Sequence, residues 1–75
     1  MKPIRRTRCI VERVADNYIL CGGHRNIEFR PPDNIGKMKV VTYQSEAKAL
    51  SAMKDSNYRG TAIRIVNVIE SYTEI

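Results

Sequence analysis

Nothing in this sequence approaches the run of about 20 apolar residues that a membrane-spanning helix requires. Nor does an apolar segment follow the charged start Met1-Lys2-Pro3-Ile4-Arg5-Arg6, as a secretory leader would need. These two absences predict a cytoplasmic protein that works away from membranes. A single histidine, His24, and two cysteines, Cys9 and Cys21, are too few ligands for a closed tetrahedral zinc site. Cys21 with His24 has the residue types of a nucleophile and base, yet nothing in the sequence orients the imidazole or supplies an oxyanion site. Gly22-Gly23-His24-Arg25 matches neither the dinucleotide fingerprint nor the P-loop, and a hairpin end that needs positive φ is the expectation there. The aromatics Tyr18, Phe29, Tyr43, Tyr58 and Tyr72 fall one per segment, without the stacking pair of RNA-recognition sheets. Neither catalysis nor a cofactor is expected.

What the chain does have is a surplus of positive charge, unevenly placed. Its 75 residues carry 13 Lys and Arg against 8 Asp and Glu. Residues 1–30 hold seven basic and three acidic side chains (7 − 3 = +4), and residues 31–75 hold six and five (6 − 5 = +1). A basic domain favours nucleic acid, an anionic protein face or a ribonucleoprotein as partner. A chain of this size forms one domain, residues 1–75, and buries only about 60% of the surface that its unfolded form exposes.

The order of elements follows from local pattern. Thr7 to Ala15 is rich in β-branched residues, and Tyr18-Ile19-Leu20-Cys21 follows the turn-tolerant pair Asp16-Asn17, so a hairpin is expected. With Asp16-Asn17 as a two-residue turn, Cys21 lies opposite Glu12 and Cys9 points to the other face. A three-residue turn leaves the cysteines roughly 13 Å apart at about 3.3 Å per residue, beyond the ~7 Å limit for a disulfide. Both thiols are expected free. Ile27-Glu28-Phe29-Arg30 alternates at period two and reads as an edge strand or a continuation of the second strand, and Pro31-Pro32-Asp33-Asn34 with Gly36 is loop. Lys37 to Tyr43 reads as a further strand. Ser45 can cap a helix from Glu46 to about Lys54, with Ala47, Leu50, Met53, Ala49 and Ala52 on its apolar side and Lys48 exposed. Leu50 is expected in the core. Gly60 permits a turn, and Thr61 to Tyr72 is a strand apolar on both faces, which predicts a central position. The fold class is α+β, a small, mainly antiparallel sheet with one helix on one face, in the order β-β-(β)-β-α-β.

The run Val40-Val41-Thr42-Tyr43-Gln44-Ser45-Glu46-Ala47-Lys48, continued by Tyr58-Arg59-Gly60-Thr61-Ala62-Ile63-Arg64-Ile65, resembles the second half of a very small phage-encoded anti-CRISPR directed at type I-F systems. The shared features are a strand, a Ser/Thr-capped helix opening with Ala-Lys, an aromatic-x-Gly-Thr turn and a strand carrying Arg-Ile. The likeness covers about a third of the chain with a one-residue gap, and the first hairpin departs from it. A strand, a capped helix and a strand also occur in peptidoglycan-binding SPOR domains. The anti-CRISPR resemblance implies a stoichiometric inhibitor that docks on a guide-RNA-loaded surveillance complex in the host cytoplasm, and it carries over Lys48.

From charge, the densest cluster is Lys2, Arg5, Arg6 and Arg8, with residues 1–6 expected as a loose basic arm. None of Arg5, Arg6, Arg8 and Lys48 has an obvious acidic partner nearby in sequence. The partner-binding residues expected are therefore Arg5, Arg6, Arg8 and Lys48. They would meet a bacterial ribonucleoprotein or nucleic-acid-binding complex, with direct binding of nucleic acid as the alternative. Oligomeric state stays open, because an exposed edge strand can pair with a second copy of itself.

Overall fold

The computed structural model describes residues 3–23 and 26–73; Lys2, His24 and Arg25 lie outside these. A five-stranded, antiparallel sheet carries one helix, as the α+β reading expects. Strand β1 (Pro3–Arg13) pairs along its whole length with β5 (Ile63–Thr73), from Pro3↔Thr73 to Arg13↔Ile63 without a bulge. The segment expected as a loose arm is therefore strand from Pro3 onward, because each of its residues faces a partner in β5.

The first hairpin closes differently from either turn expected. Arg13 N–H donates to Tyr18 O at 2.7 Å and Asn17 N–H to Arg13 O at 2.8 Å, so residues 14–17 form the connection and Asn17 takes the left-handed φ of 61°. Asp16 fixes this longer loop from inside: its carboxylate accepts both Tyr18 N–H and the Arg13 guanidinium. Strand β2 (Ile19–Gly22) then meets β1 at Glu12↔Ile19, and not with Cys21 opposite Glu12. Strand β3 (Ile27–Arg30) pairs with the outer side of β2 and is an edge, stopped by Pro31-Pro32.

Beyond Ile19 the strands β1 and β2 part, and the segment expected as a strand over 37–43 fills the gap. Only β4 (Lys39–Val40) is regular strand, pairing with β2 at Cys21↔Val40. Val41 N–H still donates to Leu20 O at 3.0 Å, after which Tyr43 exchanges reciprocal backbone bonds of 2.8 and 2.9 Å with Cys9. The chain thus crosses from β2 to β1, which is why no longer strand forms.

Helix α1 (Glu46–Lys54) begins where Ser45 Oγ accepts Lys48 N–H at 3.2 Å. Glu46 in its first turn and Lys54 in its last suit the helix dipole. Ser56 Oγ donates to the Met53 carbonyl at 2.8 Å, and Gly60 takes a φ of 87° in the turn that follows, a region few side chains tolerate. The core beneath the helix is Val11, Leu20, Phe29, Ala49 and Met53, with Tyr58 edge-on to Phe29 at 5.0 Å.

Two expectations of burial are corrected here. Leu50 is 42% exposed, and the helix buries Ala49 and Met53 instead. These lie one turn apart, and alanine at position 49 lets the helix backbone approach the sheet more closely than leucine would. The last strand is not central: the order is β3-β2-β1-β5, so β5 is an edge although its sequence is apolar on both faces.

Cys9 and Cys21 are free and buried. Burial pushes the Cys21 thiol above its ordinary value of 9.0 and the Tyr43 phenol above 10.0. Each holds its proton in the folded state at a pH where the unfolded chain has released it. The folded form then binds more protons, and stability falls as pH rises. The stability these groups contribute is complete below about pH 9 and declines above it. The melting temperature should hold steady from neutral pH to that point and then drop. A melt unchanged well above the ordinary phenol value would show that neither group is buried.

Candidate binding surface

On the side of β1 away from β5, Tyr18 and Ile19 of the first hairpin and then Tyr43 at Cys9 are the described neighbours. Toward its N-terminal end β1 continues past Cys9 paired with β5, and the molecule is accordingly elongated, 43 × 27 × 22 Å. A two-stranded ribbon thus extends beyond the core. Because side chains alternate along a strand, Arg5 and Thr7 share the helix-bearing face with Cys9 and Val11, opposite Ser71 and Ile69 of β5. Arg6 and Arg8 stand on the other face, opposite Glu70 and Val68.

The four expected cations therefore do not converge on one patch. Arg5 is exposed and has no hydrogen bond or ion pair among the described residues. Lys48 is exposed on α1, its Nζ donating to Gln44 Oε1 at 2.6 Å, and it lies on the same side of the sheet as Arg5. Arg6 is set directly across from Glu70.

Arg8 is tied to the fold. Its Nε and Nη2 donate to Thr42 Oγ1 at 3.2 and 3.1 Å, Nη2 also reaches the Thr42 carbonyl at 3.3 Å, and Nε lies 3.8 Å from Glu70 Oε2. Arg8 therefore has an acidic partner in Glu70 although none lies nearby in sequence, and Arg6 stands across the ladder from the same residue. The partner comes from β5, distant in sequence, and only strand pairing brings it near.

Other charged groups are also occupied within the molecule. Arg13 forks onto Asp16 while its guanidinium stacks 4.9 Å from the Phe29 ring centre and 5.3 Å from that of Tyr18. The same contact holds the Asp16 carboxyl below the usual carboxylate range. Arg64 meets Glu12 at 2.7 Å and donates to Asn17 Oδ1 at 2.7 Å.

A cleft of about 240 Å³ opens between α1 and the turn before β5, lined by Leu50, Met53, Lys54, Tyr58, Arg59 and Ile63. Its wall is apolar with two cations at the rim and no carboxylate, so it suits an apolar or acidic contact and offers no paired acid and base. Among the described residues no three His, Cys, Asp or Glu side chains are grouped to hold a metal. The cleft went unforeseen because it depends on Leu50 standing half-exposed at its rim and not in the core, which no spacing in the helix signals.

No protein-family model, curated protein or solved structure matches this chain.

Proposed function

We propose that this protein is a non-catalytic inhibitor that docks on a bacterial nucleic-acid-handling ribonucleoprotein and blocks it. The observation that carries the reading is that Arg5 and Lys48 stand exposed on one side of the sheet, neither engaged with a carboxylate among the described residues. Cations whose charge is not neutralised within the fold are available to the phosphates or acidic side chains of a partner. The surveillance complex of type I-F CRISPR systems is the target implied by the resemblance, whose matched segment includes α1 and Lys48. Self-pairing through a strand edge is compatible with this role, since Arg5 and Lys48 belong to β1 and α1.

Direct nucleic-acid binding is the second reading, favoured by the ribbon, because a two-stranded β-ribbon fits the major groove of duplex DNA. The salt response separates the two. Direct binding should need no protein partner and should weaken steeply with salt, whereas the inhibitor should co-elute with a protein complex. The double variant Arg5→Glu/Lys48→Glu should melt within a degree or two of wild type, since exposed charges contribute about 0 to 1 kcal/mol. It should lose capture of the purified ribonucleoprotein and protection of phage in infected cells. A folded double variant with full capture and full protection would reduce these cations to a solubilising coat, and the proposal would fall.

A further inference from the structure

The two edges of the sheet are guarded very differently. β3 is four residues long and ends at Pro31-Pro32, the usual means of blunting an edge. β5 is eleven residues long, unbulged, and contains no proline, glycine or lysine. Such an edge is a template for another strand.

Pairing with β1 fixes which backbone groups of β5 face outward. Cys9 and Arg13 bond on the side of β1 away from β5, to Tyr43 and Tyr18, whereas Val14 N–H donates to Ala62 O on the β5 side. Backbone groups alternate sides along a strand. The even-numbered residues of β1 and β5 therefore bond each other, and Ile63, Ile65, Asn67, Ile69 and Ser71 direct N–H and C=O outward.

We infer that this edge pairs antiparallel with β5 of a second copy, about a two-fold axis at Asn67. That register sets Ile65 of one chain against Ile69 of the other, Val66 against Val68, and Arg64 against Glu70, each contact occurring twice. These three pairs are matched in character, while nearer the ends Ile63 meets Ser71. Glu12 lies across from Arg64, and Arg6 across from Glu70, within each chain. Across the junction the row Glu12, Arg64, then Glu70 and Arg6 of the second copy alternates in sign, adding to the pairs each chain makes internally. Moving the axis one residue either way loses this match: at Val66, Glu70 faces Ala62, and at Val68, Glu70 faces Val66.

Apolar burial points the same way. Ile69 is 74% exposed, on the face where Ile63 and Ile65 pack against the core. In the paired sheet it is covered by the second copy's Ile65, close to the cleft between Leu50 and Ile63. Asn67 on the axis accepts from Cys9 Sγ at 3.3 Å through Oδ1, which leaves its amide nitrogen for the second copy's Asn67. A single polar residue at the axis penalises slipped registers, as a buried asparagine does in a coiled coil. The pairing also makes β5 an interior strand, the position that suits its two apolar faces. This inference does not rest on the proposed function.

Sedimentation equilibrium of the full chain should show twice 8.6 kDa at high concentration. Ile69→Lys, which places a charge at a site already exposed in the monomer, should keep the melt of the dilute protein while weakening association at least about tenfold, or 1.4 kcal/mol. A register-specific readout comes from amide exchange: Ile65, Asn67 and Ile69 should gain protection with concentration, while protection across the β3 edge should not change. A mass of 8.6 kDa persisting to about 1 mM, where an association free energy near 4.1 kcal/mol would still show, would overturn the inference. So would a dimer that Ile69→Lys leaves intact, or one whose added protection lies elsewhere.

Discussion

Leu20→Ala is expected to unfold much of the protein, at a cost of about 2 to 5 kcal/mol, whereas Leu50→Ala should change the melt very little. Leu20 is wholly buried, at the meeting of β2 with Val11, Phe29, Ala49 and Met53, so its truncation leaves a cavity that strands on both sides prevent from collapsing. Small domains hold only about 5 to 15 kcal/mol of net stability, and one of this length belongs near the lower end. Leu50 keeps much of its surface in water on the rim of the cleft, and losing its methyl groups removes little burial. Urea titrations of both variants measure the contrast. If Leu50→Ala costs as much as Leu20→Ala, the helix packs in an orientation rotated by about one residue, roughly 100°.

Arg8→Glu should cost about 2 to 4 kcal/mol, while Arg5→Glu on the same strand should stay within roughly 0.5 kcal/mol of wild type. Charge-assisted hydrogen bonds contribute about 1.5 to 3 kcal/mol each way they are lost. Arg8 makes such bonds to both the side chain and the carbonyl of Thr42, with its own side chain only 17% exposed. Reversal would abolish those bonds and set a second carboxylate beside Glu70. Because Thr42 lies in the segment that crosses from β2 to β1, the damage should reach the start of α1. Thr42→Val combined with Arg8→Ala tests the link by a double-mutant cycle: coupling indistinguishable from zero would mean that the two side chains act independently.

Local chemistry made much of the fold legible. Ser45 before Glu46-Ala47-Lys48 fixes the start of α1, and Asp55-Ser56-Asn57 fixes its end, because caps act within one turn. The hairpin of β1 and β2 was likewise readable from Asp16-Asn17, although its loop length was not. That length depends on Asp16 bonding to Arg13 and Tyr18 together. Helix rotation was obscured by composition: Ala47, Ala49 and Ala52 spread small apolar groups around α1 and leave the stripe undefined until a sheet selects a face. The edge position of β5 was hidden because an apolar strand looks alike whether its second neighbour is its own chain or another copy.

For the candidate site, exposure of Lys48 followed from helical spacing. The division of Arg5 from Arg6 and Arg8 also lay in strand alternation, once residues 3–6 are recognised as strand. The tie between Arg8, Thr42 and Glu70 had no local signal, since it joins three segments that only the completed sheet brings together.

The ladder between β1 and β5 also governs the order of folding during synthesis. Its contacts, such as Cys9 with Asn67, span 58 positions. β1 leaves the ribosome first and must wait on the order of 3 to 12 seconds, at roughly 5 to 20 residues per second, before its principal neighbour is made. Contacts so remote in sequence raise contact order and slow the search, because the entropy of closing the loop is lost before any ladder bond repays it. Until then the nascent chain can pair β1, β2 and β3 and lay α1 over Val11, Leu20 and Phe29, but one whole side of β1 lacks its neighbour. The core can gather before the last strand is made, and the sheet is completed only when β5 adds along β1, so the longest ladder of the fold is also the last to form.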